Sequence, residues 1–367
     1  MSNECPKCSE YAEAGKTFCG ACGRSLNGVG SEEGSPEQTY YSSESDIQDV
    51  EPKKKQHGLL DPFFLAISLI IIFIVAFEAV VLVVNAPDVF GYLSDKSFGL
   101  YWMAPVLGTM FVLNGGALQA YWILIVVVIV ACVVYGVYKF AKTIKPSGDV
   151  SKPGGENTGF FWISITLTAY FIINLILVLL WMFWENDLTV PDFGDILGQM
   201  FIFANAGVWE EIASRLLYIG VPMAIISLVV TKKKESLKCL LGGFGMSTAA
   251  VVFIIISGAI FGLAHYSGWD DQAWKVLATG VMGVFLGYLF VRFGLYAAIL
   301  MHFIVDYFSA FDWAGVGVLG TFLNLLLTGI GFVALLYLAI RMAGSKETIN
   351  SLPAFKNDYI KKDDDAP

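Results

Sequence analysis

Charged side chains are scarce in this chain. Asp, Glu, Lys and Arg make up 15% of its 367 residues, whereas they make up about 25% of a soluble domain. Apolar residues account for 56% of the sequence, and the mean hydropathy is +0.65. This composition excludes a single soluble globule, a disordered regulator, a collagen-like chain and a coiled coil, and it predicts a membrane protein.

A contiguous basic surface is also missing. The Lys and Arg residues are scattered along segment ends, so we expect no nucleic-acid partner. The formal net charge of −9 says little about ligands, because much of the acid lies in two polar tails, at 32–51 and 358–365. From the composition, we expect the chain to be surrounded by membrane lipid.

Cysteine is rare except at the amino terminus, where four of the six cysteines fall within the first 22 residues. Cys5, Cys8, Cys19 and Cys22 form two C-x2-C pairs, a spacing that suits a tetrahedral zinc site with four thiolate ligands. The alternative is a pair of disulfides in a secreted knot. It is disfavoured because no signal peptide precedes the cysteines and because the orientation argued below keeps them in a reducing compartment.

Residues 1–26 therefore resemble a small zinc ribbon, which would recruit or regulate through a protein partner that the sequence does not identify. Residues 27–57 are rich in Ser, Glu and Gly and predict a disordered linker. The membrane domain is expected over 58–343, and a polar tail over 344–367.

Eight apolar stretches in the membrane domain are long enough to cross a hydrocarbon core, which takes about 20 helical residues. They lack the alternation of a membrane barrel, so the fold class is an all-α polytopic membrane protein with about eight transmembrane helices. Residues 101–116 are apolar but interrupted by Pro and Gly, and predict a re-entrant or interfacial piece. The expected spans are 62–84, 119–141, 160–183, 202–230, 240–265, 272–291, 294–312 and 317–341.

The orientation follows from the positions of the cations. Every second loop is basic, and the intervening loops carry Asp and Glu. By the positive-inside rule, both termini are expected in the cytoplasm of a multi-pass plasma-membrane protein. An even number of spans and a zinc-binding cysteine cluster agree with this orientation. The basic segments are 53–55, 139–152, 232–238, 292 and 341–346.

Ionisable side chains within apolar spans usually mark function. The fourth span contains Glu210, Glu211 and Arg215. Glu211 and Arg215 are one helical turn apart and are expected to pair, whereas Glu210 points about 100° away and lacks that partner. An unpaired, desolvated carboxylate suits a general base, although Glu211 and Arg215 could form only a structural ion pair.

Two of the three histidines also fall within spans. His265 ends the fifth span, and His302 shares a helix face with Asp306 in the seventh. Such a set can bind a divalent metal, or it can hydrolyse an amide without one, with Glu activating water and the imidazoles stabilising the oxyanion. It also suits a proton-coupled transporter, and these residues alone do not separate hydrolysis from transport.

Three patterns in fixed order carry a family resemblance: E-E-x-x-x-R from Glu210 to Arg215, F-x-x-x-H from Phe261 to His265, and H-x-x-x-D from His302 to Asp306. Together they resemble the CPBP family of CAAX proteases and bacteriocin-processing enzymes, also called Abi. The resemblance covers about 160–320. It implies an intramembrane endopeptidase with a water-accessible cavity, acting on a peptide or lipidated-protein substrate.

The resemblance also implies roles for these residues. Glu210 and His265 would activate the attacking water, Glu211, Arg215 and Phe261 would support the site, and His302 with Asp306 would stabilise the oxyanion. Many members have Asn where this chain has Asp306, and an ionised carboxylate cannot donate a hydrogen bond. Asp306 would then orient His302, act protonated or help to hold a metal, so a catalytic metal stays open.

Two rival functions remain: a non-catalytic, partner-binding or immunity-type protein of the same fold, and a proton-coupled transporter. A transporter predicts repeated halves, and the sequence contains no visible repeat. The depth of the site poses a further question. His265 falls near the outer end of its predicted span, while Glu210 and His302 lie nearer the middle, so a tilted or shortened fifth helix is needed to bring them level.

The zinc prediction is testable on residues 1–26. Metal analysis of this fragment should return about one zinc per chain, because a segment too short to bury a core depends on the metal for its folding energy. A fragment that folds without metal would contradict the assignment.

Overall fold

A computed structural model describes residues 60–103, 107–144, 158–185, 191, 193–231, 234–266 and 273–344. The expected zinc ribbon with its four cysteines, the linker and the polar tail lie outside these described residues. The all-α polytopic class is confirmed. The helices are α1 (Leu60–Tyr92), α2 (Gly115–Ile144), α3 (Gly159–Glu185), α4 (Ile196–Thr231), α5 (Thr248–Ala264), α6 (Ala273–Phe293), α7 (Leu295–Tyr307), α8 (Ala310–Trp313) and α9 (Gly317–Gly344).

Six of the described helices, namely α1 to α4, α6 and α9, are long and apolar enough to cross a membrane. The spans predicted at 240–265 and 294–312 form shorter helices instead. At 1.5 Å per residue, α5 with 17 residues and α7 with 13 residues reach only about 25 Å and about 20 Å. Most side chains of α7 are buried, because the longer helices pack around it.

Glycine turns account for the shortened α5. The apolar run that predicted a span from residue 240 begins with a 3₁₀ helix, Lys234–Leu241, followed by Gly242, Gly243 and Gly245 at φ of 76°, 73° and 86°. This left-handed backbone is open to glycine and strained for other residues. The helix therefore starts only at Thr248, with the Ser247 hydroxyl accepting a hydrogen bond from the backbone N–H of Ala250.

The segment predicted as re-entrant or interfacial is an antiparallel hairpin. Strand β1 (Ser97–Met103) pairs with β2 (Leu107–Asn114), with a register shift between Leu100 and Tyr101. One face packs on the bundle, where the Phe98 ring meets the Phe201 ring edge-on at 4.9 Å. A hydrogen bond from the Trp209 indole Nε1 to the Tyr101 backbone carbonyl, 2.6 Å long, fixes the hairpin to the middle of α4.

The middle of α4 is wound as a π-helix. The helix is α-helical over Ile196–Asn205, π-helical over Ala206–Glu210 and Ile212–Gly220, and α-helical again over Val221–Thr231. A π-helix bonds i to i+5 and is uncommon outside functional sites. All three ionisable residues predicted from this span fall within or between the two π-segments.

Helices α5 and α6 touch backbone to backbone along a line of glycines. A Cβ on Gly262 would lie 2.5 Å from the Val276 carbonyl oxygen and 3.0 Å from the Gly280 Cα, and one on Gly283 would lie 2.9 Å from the Gly258 Cα. Small residues permit such close approach in membrane helix pairs. The contact fixes the depth of the end of α5, where His265 follows.

Replacing Gly262 with Ala should destabilise the protein by about 1–3 kcal/mol, because the added methyl group meets backbone atoms that cannot move aside. The matched control is Gly329→Ala in α9, where nothing lies within 4 Å of the new Cβ. That change should be neutral or stabilise the helix by about 0.5–1 kcal/mol. The free energy of unfolding in mixed micelles checks both, and equal effects would contradict the packing described here.

Candidate active site

The site begins where α4 and α7 approach each other most closely. A Cβ on Gly207 would lie 3.2 Å from the Phe303 Cα, so a larger residue at this position would push the two backbones apart. The contact brings the residues that follow Gly207 on α4 alongside His302, which precedes Phe303 on α7. Two segments almost 100 residues apart in sequence thus contribute to one cluster.

Glu211 lies at the centre of a buried, charged hydrogen-bond network. Its Oε2 accepts a hydrogen bond from Arg215 Nε at 3.1 Å, and its Oε1 lies 2.9 Å from His302 Nδ1. The side chains of Glu211 and Arg215 are both 0% exposed. The pair that the sequence spacing predicted is present. Because both Glu211 oxygens are hydrogen-bonded to protein groups, this carboxylate has a structural role.

Arg215 extends the network towards α5. Its Nη1 donates to the Ser257 hydroxyl at 2.6 Å, and that hydroxyl donates to the Ser214 carbonyl at 3.1 Å. The guanidinium also lies over the Phe261 ring, 4.7 Å from its centroid, a favourable cation–π contact. A planar cation with several fixed donors suits these partners better than a lysine would.

Phe261 packs against both histidines as well as Arg215. Its ring centroid lies 4.7 Å from that of His265 and 5.7 Å from that of His302. The ring is 1% exposed. Phe261 therefore helps to hold the guanidinium and the two imidazoles in position.

Glu210 faces the two histidines. Its Oε2 lies 3.7 Å from His265 Nε2 and 3.8 Å from His302 Nε2. Both distances exceed a hydrogen bond. That oxygen is buried and has no hydrogen-bond partner among the described residues. The two adjacent carboxylates of α4 therefore differ. Glu211 is hydrogen-bonded within the buried network, whereas Glu210 directs an oxygen at the two imidazoles.

The backbone sets the orientation of His265. Its Nδ1 lies 2.8 Å from the Phe261 carbonyl oxygen. A carbonyl only accepts, so Nδ1 carries the proton, and in the neutral ring Nε2 presents a lone pair towards Glu210. His265 caps the end of α5, where the chain leaves the helix.

His302 lies between carboxylates on both sides. Its Nδ1 faces Glu211, and its Nε2 lies 3.2 Å from Asp306 Oδ2 as well as near Glu210. An imidazolium, which donates from both nitrogens, is complementary to this arrangement. The i, i+4 pairing of His302 and Asp306 expected on one helix face is present.

The cluster is graded in exposure. The side chains of Asp306 and Glu210 are 27% and 21% exposed, that of His265 is 15% and that of His302 is 3%. The open side of the site is therefore the side of Glu210 and Asp306. A separate groove of about 610 Å³, lined by side chains between Pro87 and Lys96 and by Leu197, contains none of these residues.

A catalytic metal finds no ready ligand set here. Among the described residues, no group of three or more His, Cys, Asp and Glu side chains has the arrangement of a metal site. One nitrogen of each histidine faces the Phe261 carbonyl or Glu211, and the Nε2 atoms of both face Glu210. A metal-bound histidine commonly has such a partner at its other nitrogen, so these contacts carry no argument against a metal.

Sequence reasoning missed three residues of the site. Ser257 carried no signal, because a hydroxyl in an apolar span is common. Trp209 resembled other tryptophans that anchor span ends, but its indole binds the hairpin instead. Lys275 had a usable signal as a cation near the start of an apolar span, and its charge interacts with those of Glu210 and Asp306.

Residues 192–308 match the family model described as type II CAAX prenyl endopeptidase, Rce1-like. This segment is similar to CAAX protease domains. It spans α4 to α7 and contains all three sequence patterns, and it is narrower than the 160–320 expected from the patterns alone. Comparison with curated proteins and with solved structures gives no match. In general terms, the match supports an intramembrane protease of the CAAX type, and the long apolar helices suit a multi-pass membrane protein.

Arg215 provides a direct test of the buried hydrogen-bond network. Arg215→Met should lower the free energy of unfolding by about 3–5 kcal/mol, because it leaves the Glu211 carboxylate buried without its cation. The double variant Glu211→Gln, Arg215→Met should lose less than the sum of the two single changes.

Lys96→Met is the matched control. It removes a cation from an exposed pair with Asp95, in which the side chains are 44% and 77% exposed, and should cost less than about 1 kcal/mol. Unfolding in SDS titrations measures the wild type, the Arg215→Met and Glu211→Gln single variants, the double variant and Lys96→Met. Additive losses in the double variant would disprove a shared network.

Proposed function

We propose that this protein is an intramembrane endopeptidase in which Glu210 and His265 activate a water molecule and His302 stabilises the oxyanion. The observation that carries the proposal is the placement of Glu210 Oε2 3.7–3.8 Å from the Nε2 atoms of both histidines. The family match supports a CAAX-type protease in general. The proposal adds the mechanism and the substrate class.

The spacing between Glu210 and His265 suits a water molecule. A direct contact of 3.7 Å between two acceptors is unfavourable, but a water placed beside both can donate one hydrogen to Glu210 Oε2 and the other to His265 Nε2 at ordinary distances. Both hydrogens are then engaged, and a lone pair of the water oxygen is directed outward. Such a water is oriented for attack on a carbonyl carbon.

In the first step, the water oxygen forms a bond with the carbonyl carbon of the scissile amide while one water proton passes to Glu210. The carbonyl π electrons move to oxygen and give a tetrahedral oxyanion. His302, held between Glu211 and Asp306, provides positive charge to stabilise that oxyanion. Preorganised groups of this kind provide a large part of the rate enhancement in enzymatic amide hydrolysis.

In the second step, the tetrahedral intermediate collapses. Glu210 returns its proton to the amide nitrogen, the C–N bond breaks, and the products are a carboxylic acid and an amine. We assign Asp306 to orienting His302, because an ionised carboxylate accepts hydrogen bonds and repels an oxyanion. This assignment replaces the direct oxyanion contact that the family pattern implies for an Asn.

We infer that the substrate is a membrane-associated or prenylated protein. The family description names a CAAX prenyl endopeptidase, and a partly exposed polar cluster among apolar helices suits a peptide tethered by an apolar group. The partial exposure of Glu210 and Asp306 supports such access. Cytoplasmic termini in the plasma membrane, and a structural zinc at the four cysteines that serves a protein partner, complete the proposal.

Substitution of the water-activating pair tests the mechanism. Glu210→Ala and His265→Ala should each reduce the cleavage of a prenylated CAAX-type peptide by about 10²–10⁴-fold, because a positioned acid or base contributes that much. Both side chains are partly exposed, so the fold should persist.

The matched control is Glu185→Gln, an exposed acid at the end of α3, which should leave turnover unchanged. Cleavage is measured by mass spectrometry of the peptide products. A cleavage rate of Glu210→Ala equal to that of the wild type would remove Glu210 from the mechanism. Failure of the wild type to cleave the peptide would refute the substrate class.

A further inference from the structure

Lys275 lies level with His265 across the glycine contact of α5 and α6. Gly262 of α5 meets the carbonyl of Val276 on α6, and the two helices run in opposite directions, so the turn after Gly262 faces the first turn of α6. His265 and Lys275 occupy these two turns. The Lys275 carbonyl accepts a hydrogen bond from the Thr279 hydroxyl at 2.7 Å, which fixes the backbone of this turn.

The Lys275 ammonium also takes part in the electrostatics of the site. Its charge interacts with those of Asp306 and Glu210, the two carboxylates on the open side. Arg215 plays no such part there, because it is fully buried against Glu211. The open side of the site thus has two acids and a cation on a flexible stem.

This arrangement matters for an anionic substrate. Two carboxylates beside the reacting water would repel the carboxylate at the end of a peptide chain. A lysine has three rotatable donors on a four-carbon stem and can turn from the acids of the protein to an acid of the substrate. Its position at the start of α6 is close to the end of a span, where a charged peptide terminus keeps contact with water.

We propose that Lys275 binds the C-terminal carboxylate of the substrate and selects peptides whose scissile bond lies close to a free C-terminus. The inference rests on the proposed function, and it adds the residue that reads the substrate terminus. A CAAX sequence lies at the very end of its protein, so a prenyl cysteine in the apolar part of the site leaves the terminal carboxylate only three residues away.

Equilibrium binding tests this directly on the full chain in detergent micelles. The probes are two forms of one peptide, an S-farnesyl cysteine followed by three apolar residues, with a free carboxylate or a terminal amide. The wild type should bind the free acid about tenfold or more tightly than the amide, because a charge-assisted hydrogen bond has about that effect. Lys275→Met should bring this ratio close to one by weakening the acid alone.

Two further variants serve as controls. Lys275→Arg keeps the charge and should retain most of the preference, whereas Arg292→Met removes a cation from the far end of α6 and should leave the ratio unchanged. Unaltered affinity for the amide establishes that Lys275→Met is folded. If that affinity is lost, Lys275→Gln is tested in place of Lys275→Met. An acid preference absent from the wild type, or preserved in the variant, would overturn the inference.

Binding and cleavage separate this inference from the proposed function. A lysine-dependent preference for the acid without any cleavage leaves the inference standing and refutes the peptidase. If the acid and the amide are bound with equal affinity and cleaved at equal rates, the inference is refuted and the peptidase stands. Failure of the wild type to bind either peptide overturns the inference, because the carboxylate then gains nothing from Lys275.

Discussion

The buried pair of Glu211 and Arg215 is the interaction on which the site depends. Two charges with no exposure to solvent are costly, and they are tolerated only where each is matched and hydrogen-bonded. Arg215 is held by Ser257 and the Phe261 ring, and Glu211 holds His302. The pair thus links α4, α5 and α7, the three helices that contribute the proposed catalytic groups, and any shift of one helix would break it.

The same network explains how two adjacent carboxylates come to have different roles. Both oxygens of Glu211 are bound, so its charge is used to fix His302 and Arg215. Glu210 leaves α4 in a different direction, and its Oε2 meets two imidazoles at distances that leave room for water. A strict division of this kind requires that the helix does not rotate, and the close contact of Gly207 with Phe303 opposes rotation. Preorganisation of the site is therefore a property of packing as much as of charge.

Much of the site was predictable, because ionisable residues in apolar spans are rare and their i, i+4 spacing survives in the folded chain. The pairing of Arg215 with Glu211 and of Asp306 with His302 followed from spacing alone. The π-helical winding of α4 was not predictable, since it depends on contacts with other helices. The hairpin at Ser97–Asn114 was hidden because its apolar residues gave a hydropathy signal like that of a span. The shortened α5 had a local signal in the run Gly242, Gly243 and Gly245.

The short helices resolve the question of depth. A full-length fifth span would have carried His265 to the edge of the membrane, away from Glu210. Because α5 starts late and is held to α6 through glycines, its end remains within reach of α4, and His265 Nε2 lies 3.7 Å from Glu210. Helix α7, only 13 residues long and enclosed by longer helices, likewise holds His302 inside the bundle. Peptide hydrolysis at membrane depth needs water, and helices that stop short of the full thickness are what allow polar chain ends to border the site without exposing backbone to lipid.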